Sequence, residues 1–309
     1  MMQRRTLLLA AGASTLLAAC GGSDSDPSLL ARVQNDPELG ILAEAVAAAG
    51  LGGTLDGAGP FTLFAPTDAA FAALLSELGV SKDDLLGDVG LLTAVLSYHL
   101  LDSRVVAADV PVGLPVTTVQ GGFFKPAKAV AGGLEIVDGR NRVAGIVATD
   151  VHADNGVLHK LDRVLLPADK NIVQTAIASA PEFSILVEAV VAAGLVDALS
   201  APTPLLTVFA PTDAAFADLL TALGISKAEL LANTTLLTTV LTYHVVPSLV
   251  LAAAVPLDTD ITTLQGGSFQ VDDTLTITDA TGGRAAIVAT DVLTSNGAIH
   301  VIDKVLLPA

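Results

Sequence analysis

The sequence repeats itself at the length of a whole domain. The nine residues F-A-P-T-D-A-A-F-A begin at Phe64 and recur at Phe209, and the pair Tyr98-His99 recurs as Tyr243-His244. Both offsets are 145 residues, whereas solenoid repeats have periods of about 20–50 residues. The sequence therefore predicts two copies of one domain in tandem.

The first copy is longer than the second over one short stretch. Gln120-Gly121-Gly122 recurs after 145 residues, but I-V-A-T-D-V at Ile146 recurs at Ile287, an offset of 141. The four additional residues therefore lie between Gly122 and Ile146. A length change confined to one stretch is typical of a loop.

The last shared string, V-L-L-P, marks the end of each copy. It occupies Val164–Pro167 in the first copy and Val305–Pro308 in the second. We therefore expect domain 1 over residues 28–167, a linker over residues 168–171 and domain 2 over residues 172–309. A chain of 309 residues suits two domains, since one domain commonly takes about 100–200 residues.

The N-terminus has the pattern of a signal peptide. Arg4 and Arg5 form a positive n-region, and Thr6 to Ala19 is an apolar stretch too short to span a bilayer. Leu17-Ala18-Ala19-Cys20 resembles a bacterial lipobox, which implies cleavage before Cys20 and lipidation of its thiol. The alternative is a buried free cysteine behind an ordinary signal peptide.

These features predict a lipoprotein of the cell envelope. Residues 1–19 would be removed and residues 20–27 would form a flexible tether, since Gly and Ser dominate its start. Gly21 follows the cysteine, and by resemblance to bacterial sorting rules this permits export to the outer membrane or cell surface, facing periplasm or exterior. Export follows the general secretory route or, through the Arg4-Arg5 pair, the twin-arginine route.

Hydrophobic periodicity predicts an α+β domain with helices first and strands after. Leu42 and Val46 share a helical face, Phe71, Leu74, Leu75 and Leu78 share a second, and Leu92, Val95, Leu96 and His99 share a third. Phe61 to Ala65 alternates like a strand, and Asn155-Gly156 is the strongest short signal for a hairpin.

Three motifs in each copy resemble the fasciclin domain family. They are F-T-L-F-A-P-T-D-A-A-F at Phe61–Phe71, V-L-S-Y-H at Val95–His99 and N-G-V-L-H-K-L-D-R-V-L-L-P at Asn155–Pro167, with their counterparts at Leu206–Phe216, Val240–His244 and Asn296–Pro308. The resemblance covers nearly everything after the tether. It implies two tandem fasciclin-like domains, each a wedge-shaped β-sandwich with a helical layer.

The same resemblance implies an extracellular role in adhesion and no catalysis. The implied partners are the extracellular matrix, a polysaccharide or a surface protein. A second hypothesis is a carrier of an apolar small molecule such as a pigment or lipid, because family members differ in what they bind and the mean hydropathy is +0.66. An enzyme is the third hypothesis, but no G-x-S-x-G motif occurs and the one thiol is Cys20.

Two residue pairs in each copy are candidate binding residues with a structural alternative. The Tyr-His pairs share apolar helical faces, so each is either a hydrogen-bonded core pair or a ligand contact. The Thr-Asp pairs follow Pro, so each is either a helix cap or a contact. The candidates are Tyr98, His99, Thr67 and Asp68 in domain 1 and Tyr243, His244, Thr212 and Asp213 in domain 2.

Metal and nucleic-acid partners are disfavoured. His152, His159 and Asp162 are residue types that bind zinc, but Leu293 stands in domain 2 where domain 1 has His152. We therefore expect no metal and no cofactor. The net charge of −17 repels phosphate backbones and anionic headgroups. We expect no nucleic-acid partner, and membrane attachment through the lipid on Cys20.

Overall fold

A computed structural model of the chain describes residues 26–309. The predicted signal peptide, Cys20 and most of the predicted tether lie outside these residues. No helix within residues 26–309 combines the length and the apolar character needed to cross a membrane.

Within the described part of the chain, domain 1 has six α-helices and seven strands. All strands except the first follow the helices in the sequence. The helices are α1 (Leu29–Asn35), α2 (Gly40–Ala48), α3 (Gly52–Leu55), α4 (Asp68–Leu78), α5 (Lys82–Gly87) and α6 (Val89–Tyr98). The strands are β1 (Phe61–Pro66), β2 (Leu100–Leu101), β3 (Val116–Thr117), β4 (Phe123–Lys128), β5 (Leu134–Val137), β6 (Val143–Ala153) and β7 (Gly156–Leu161).

Domain 2 repeats this order element by element. Its helices are α7 (Ile172–Ala178), α8 (Ser184–Ala192), α9 (Val196–Ser200), α10 (Asp213–Leu223), α11 (Lys227–Ala232) and α12 (Thr234–Tyr243). Its strands are β8 (Leu206–Pro211), β9 (Val245–Val246), β10 (Ile261–Thr262), β11 (Ser268–Val271), β12 (Thr276–Thr278), β13 (Arg284–Thr294) and β14 (Gly297–Ile302). The prediction of two copies of one α+β domain is confirmed.

Each domain has one seven-stranded sheet that bends at its longest strand. The order in domain 1 is β2-β1-β7-β6-β5-β4-β3, with β1 and β7 parallel and every other pair antiparallel. The first residues of β6 pair with β5 and the rest pair with β7, with two register shifts. Such irregularities bend a strand, so β6 joins two half-sheets.

The two half-sheets and the helices enclose two apolar clusters. Side chains alternate along β1, so Leu63 packs under the helices while Phe64 points to the other side. There the Phe64 ring meets the edge of Phe124 with ring centroids 5.2 Å apart. The domain is therefore a sandwich of half-sheets with a helical layer against one of them.

One predicted core residue lies outside the core. Leu78 was expected on the buried face of α4, but it is 41% exposed, and its counterpart Leu223 is 50% exposed. Both leucines are the last residue of their helix, which ends at a left-handed glycine, Gly79 or Gly224. The final turn of each helix projects beyond the core. The spacing of apolar residues therefore predicts burial for a leucine that is in fact exposed.

The Asn-Gly hairpin is present, but its physical basis differs from the one expected. Asn155 lacks the positive φ of a type I′ turn. Its side chain accepts a hydrogen bond from the Leu29 amide at 2.9 Å and donates to the Leu55 and Gly57 carbonyls at 2.9 and 2.6 Å. A Cβ on Gly156 would overlap the Phe61 carbonyl oxygen. Tertiary contacts, rather than turn geometry, require this dipeptide.

The four additional residues of domain 1 lengthen a hairpin rather than a connecting loop. They extend β4, β5 and the turn between them, compared with the shorter β11–β12 hairpin. Val130 at the tip is fully exposed.

The predicted linker and tether are partly bound to the domains. Asn171 is the N-cap of α7, and the Lys170 carbonyl accepts a hydrogen bond from the Ser295 amide at 2.8 Å. Asp26 likewise pairs with Arg32 at 2.9 Å. The structure thus ties these residues to the neighbouring domain, where the sequence predicted a linker and a flexible tether.

Candidate functional site

The Tyr98 side chain lies between α6 and the second half-sheet. It is fully buried, and its hydroxyl donates to the Phe123 carbonyl at 2.6 Å. Burial raises the pKa of Tyr98, and the nearby Asp138 carboxylate raises it further. In domain 2 the Tyr243 hydroxyl donates to Ser268 at 2.5 Å. Both hydroxyls are thereby used to join a helix to a strand.

The His99 ring links the end of α6 to the last segment of domain 1. Its Nδ1 donates to the Val95 carbonyl at 2.7 Å, and its Nε2 accepts from the Leu165 amide at 2.9 Å. Only the neutral Nδ1–H tautomer satisfies both bonds. His244 makes both bonds at the same distances with the equivalent residues of domain 2. Burial lowers the pKa of each histidine to about 4.

Thr67 and Asp68 organise the starts of two helices. The Thr67 hydroxyl oxygen accepts from the Ala70 amide at 3.2 Å as the N-cap of α4. The Asp68 carboxylate accepts from the Ile41 amide at 2.7 Å, and Ile41 lies in the first turn of α2. The α2 N-cap is Leu39, whose side chain makes no cap, so Asp68 supplies this bond from another helix.

Domain 2 strengthens the same arrangement with one more hydrogen bond. Asp213 accepts from the Ile185 amide at 2.8 Å and also from the Ser184 hydroxyl, and Thr212 caps α10. Sequence reasoning identified the cap and missed the carboxylate's partner in α2, the Ile41 amide, which lies 27 residues before Asp68.

A second buried histidine in each domain was read as an ordinary strand residue. His159 lies on β7, as expected, but its ring also fixes a loop, because Nε2 donates to the Val105 carbonyl at 2.9 Å. Its Nδ1 accepts from Asp150, a residue with a left-handed φ of 57°. His300 repeats this arrangement, and burial lowers its pKa.

The residues weighed for a zinc site do not come together. His159 is enclosed, His152 contacts Arg104 at 2.8 Å, and the Asp162 carboxylate accepts from the Gly145 amide at 2.7 Å. Within residues 26–309 no group of three His, Cys, Asp or Glu side chains is placed to hold a metal ion.

A specific interface joins the two domains. The Lys125 ammonium on β4 pairs with Asp291 on β13 at 3.0 Å, and the side chains are only 18% and 6% exposed. Asn141 donates its amide to the Leu293 carbonyl at 3.0 Å and accepts from the Leu293 amide at 2.7 Å. The Asn141 side chain therefore pairs with the Leu293 backbone as a neighbouring strand would.

An apolar cluster adjoins these polar contacts. Phe123 of domain 1 packs with Leu251, Leu293 and Ala298 of domain 2, and all four are buried. A buried ion pair contributes little net free energy to stability. Removing one partner is costly, however, because the other charge then stays buried without a counter-charge. The apolar contact and the paired polar groups together fix the orientation of the domains.

Most of the residues that form this interface differ between the two copies, although Asp291 has Asp150 as its counterpart. Lys125 and Asn141 correspond to Gln270 and Gly282 in domain 2, and Leu293 corresponds to His152 in domain 1. In domain 1 the His152 carbonyl instead accepts from Arg32 at 2.8 Å. The contact is therefore head to tail: the two domains contribute different surfaces to it.

The cavities within the domains are small, and a larger cleft lies between them. Two apolar cavities in domain 1 have volumes of about 100 and 110 Å³, and one in domain 2 has about 30 Å³. An open pocket beside α1 of domain 1 has a volume of about 220 Å³. The cleft between the domains has a volume of about 440 Å³ and is lined by residues of both. Small-molecule sites usually have about 300–1,000 Å³.

Comparisons with known proteins agree with the repeated motifs. Residues 37–167 and 181–308 each match the family model described as the fasciclin domain. Transforming growth factor-beta-induced protein ig-h3 of Sus scrofa is 31% identical over 258 residues, which is 82% of this chain and 35% of that protein. The chain thus spans about a third of that relative.

Two further similarities cover different extents of the chain. Cell surface glycolipoprotein MPB83 of Mycobacterium bovis is 35% identical over 151 residues, which is 47% of this chain and 63% of that protein. The solved structure of a FAS1 domain pair from the insect cell adhesion molecule Fasciclin I aligns with a TM-score of 0.44 and 18% identity, covering 90% of this chain and 95% of that one. Because the family model matches most of the sequence in two consecutive blocks, the chain belongs to the fasciclin domain family and contains two fasciclin domains in tandem.

Proposed function

We propose that the protein is a non-catalytic adhesion module that binds a matrix component or a surface protein. The observation that carries this proposal is the pair of fasciclin domains held in one orientation by the Lys125–Asp291 and Asn141–Leu293 contacts. Two domains fixed in this way present one extended surface to a partner. The similarity to MPB83, a cell surface glycolipoprotein, supports a role at the cell surface.

The Tyr-His and Thr-Asp pairs are proposed to stabilise the fold rather than to contact the partner. Each of the eight side chains forms a hydrogen bond within its own domain, and both tyrosines and histidines are buried. The partner would then bind to surfaces outside these motifs.

The proposed location is the cell envelope, with Cys20 as a lipid anchor. The support is the lipobox-like sequence and the similarity to MPB83, a cell surface glycolipoprotein. Radiolabelled palmitate should enter the wild-type chain and not Cys20→Ser, and only the wild type should sediment with membranes. Equal labelling of both chains would remove the anchor from the proposal.

The carrier hypothesis has weaker support. The pockets within single domains, at about 220 Å³ or less, are smaller than the roughly 300 Å³ at the lower end of ligand sites. A pigment or lipid would need a domain to open. Organic extraction of the purified protein, followed by mass spectrometry, separates the hypotheses, because an adhesion module should release no stoichiometric apolar molecule.

Adhesion itself is tested by displaying the full chain on cells that otherwise lack it. Displaying cells should aggregate or attach to a polysaccharide or protein matrix several-fold more than cells with the empty display vector. Equal attachment on every matrix, or turnover of a substrate by the purified protein, would overturn the proposed function.

A further inference from the structure

We propose that the cleft between the two domains binds an uncharged, hydroxyl-rich chain such as a neutral oligosaccharide. This inference deepens the proposed adhesion function and rests on it, since it names the ligand class of one site on the module. The cleft volume is about 440 Å³, and it is larger than the other four principal cavities found in the described part of the chain.

The charge of the cleft lining argues for a neutral ligand. The chain has 15 basic and 32 acidic residues, so 47 of its 309 residues are charged. None of the residues that line the cleft within residues 26–309 is ionisable. An anionic or cationic ligand would lose its hydration there without gaining a counter-charge, whereas a neutral polar ligand would not meet this cost.

The lining offers two unpaired hydroxyls and one side-chain amide, whereas the buried Thr294 hydroxyl is already bonded to the Gly297 carbonyl at 2.8 Å. The Gln120 Oε1 accepts from the Gly122 amide at 2.9 Å, which orients the side chain. Its Nε2, the Thr203 hydroxyl and the Ser295 hydroxyl have no hydrogen-bond partner among the residues that the structure describes, and all three side chains are exposed at the cleft. Donors and acceptors of this kind match sugar hydroxyls.

Apolar surfaces complete the lining. Pro167 and Pro202 belong to different domains, and Phe123 and Leu205 join the cleft lining to the interdomain cluster. The C–H faces of a sugar ring can pack on such surfaces while its hydroxyls bond to the polar groups. The mixture suits a ligand that is itself apolar on its faces and polar at its edges.

The interface keeps the cleft preformed. Phe123 belongs to both the cleft lining and the interdomain cluster, and Leu293, which pairs with Asn141, is adjacent to the lining residue Thr294. A site that is already formed loses less conformational freedom on binding than one that must be assembled.

The proposal is tested by calorimetric titration of the full chain, in a detergent without sugar, against neutral and acidic hexasaccharides. The neutral probes are cellohexaose, mannohexaose and xylohexaose, and the acidic probe is hexagalacturonate. At least one neutral probe should bind, with an affinity that stays constant between about 0.05 and 0.5 M NaCl because no charge pairing contributes. Gln120→Ala and Thr203→Trp should each lower it by about tenfold or more.

Gln265→Ala is the matched control. Gln265 makes the same bond to its own loop, with Gly267 at 2.8 Å, but it does not line the cleft, so its loss should leave the affinity unchanged. Binding of the acidic probe alone, no binding of any neutral probe, or equal affinities for wild type and both cleft variants would overturn the cleft assignment. Failure of adhesion in the display assay would instead count against the proposed function.

Discussion

At the scale of single residues, the repeated histidines act as hydrogen-bonded links between elements that are distant in sequence. His99 connects α6 to Leu165, 66 residues further along. His159 connects β7 to Val105, 54 residues earlier. Because both ring nitrogens of each histidine are bonded, replacing a ring removes packing and also leaves buried backbone groups unpaired.

Removing the His99 ring should strongly destabilise the protein. His99→Ala deletes the partners of the Val95 carbonyl and the Leu165 amide and leaves a cavity, at an expected cost of roughly 2–4 kcal/mol in the free energy of unfolding. His152→Ala is the control, since His152 is exposed, and it should change stability by about 0.5 kcal/mol or less. An unchanged melting temperature for His99→Ala, with lost partner binding, would instead assign the Tyr-His pair to a contact surface.

The same histidines should make the protein less stable in acid. Burial lowers the pKa of His99 and His244 to about 4, from 6.5 in an unfolded chain. Between these values the unfolded chain binds a proton at each site that the folded chain does not. Stability is therefore fully present above pH 6.5 and falls as the pH drops to about 4, by up to about 3 kcal/mol for each histidine.

Chemical denaturation at pH 7, 6, 5 and about 4.5 measures this loss. The charged groups near the rings are Asp138 and Arg142 in domain 1 and Asp279 in domain 2, and they are secondary to burial. A free energy of unfolding that is constant from pH 7 to about 4.5 would contradict the buried neutral state of the rings.

At the scale of elements, the parallel pair β1–β7 is the centre of each domain. It brings the strand of the first motif beside the strand of the last, with Phe61 opposite Gly156 and Pro66 opposite Leu161. A glycine is required where β7 begins, because the backbone of β1 passes too close for a side chain. The closing motif is therefore a packing requirement of the sheet.

A methyl group at this position should disrupt the strand pair. Gly156→Ala would place Cβ against the Phe61 carbonyl oxygen, so the free energy of unfolding should fall by about 2–3 kcal/mol or more. Gly53→Ala on α3 is the control, because nothing lies within 4 Å of its added Cβ. It should leave stability unchanged or raise it by up to about 1 kcal/mol. Equal melting temperatures for the two variants would contradict the close approach.

Local patterns in the sequence predict the elements better than their pairing. The periodic faces of α2, α4 and α6 and the alternation of β1 follow from neighbouring residues, so they were predictable. The β1–β7 pairing joins strands about 95 residues apart, and the Asp68 bond to α2 joins two helices. Neither contact produces a periodic pattern in the sequence. An aspartate at the start of a helix is equally compatible with a solvent-exposed side chain.

At the scale of the whole molecule, the differences between the copies matter as much as the shared motifs. The residues that the two copies share form the core and the hydrogen bonds of each domain, so comparing the copies reveals the fold of the domain. The interface uses Lys125 and Asn141, which have no equivalent in domain 2. The Leu293–His152 difference counted in the sequence only against a zinc site. The lysine, the asparagine and the leucine, each unlike its counterpart in the other copy, are together the signal that could have revealed the interface.

Loss of the interface should uncouple the domains. Lys125→Ala with Asn141→Ala leaves Asp291 buried without its cation and removes both bonds to Leu293. We propose that residues 28–167 and residues 172–309 fold independently. The single thermal transition of the wild type should therefore separate into two in this variant. Lys128→Ala, on the same strand but exposed, should keep the single transition. One unchanged transition in the double variant would contradict a coupling role for these contacts.

The central claim is that the protein binds a partner at the cell surface without chemical turnover. The most direct measurement is surface adhesion and biofilm formation by a strain lacking the gene, complemented with the wild-type chain or with Cys20→Ser. The account predicts that the deletion lowers adhesion several-fold, that the wild-type chain restores it, and that Cys20→Ser does not, because the chain is no longer retained at the envelope. Adhesion that is the same in all four strains, including the unmodified parent, would contradict it.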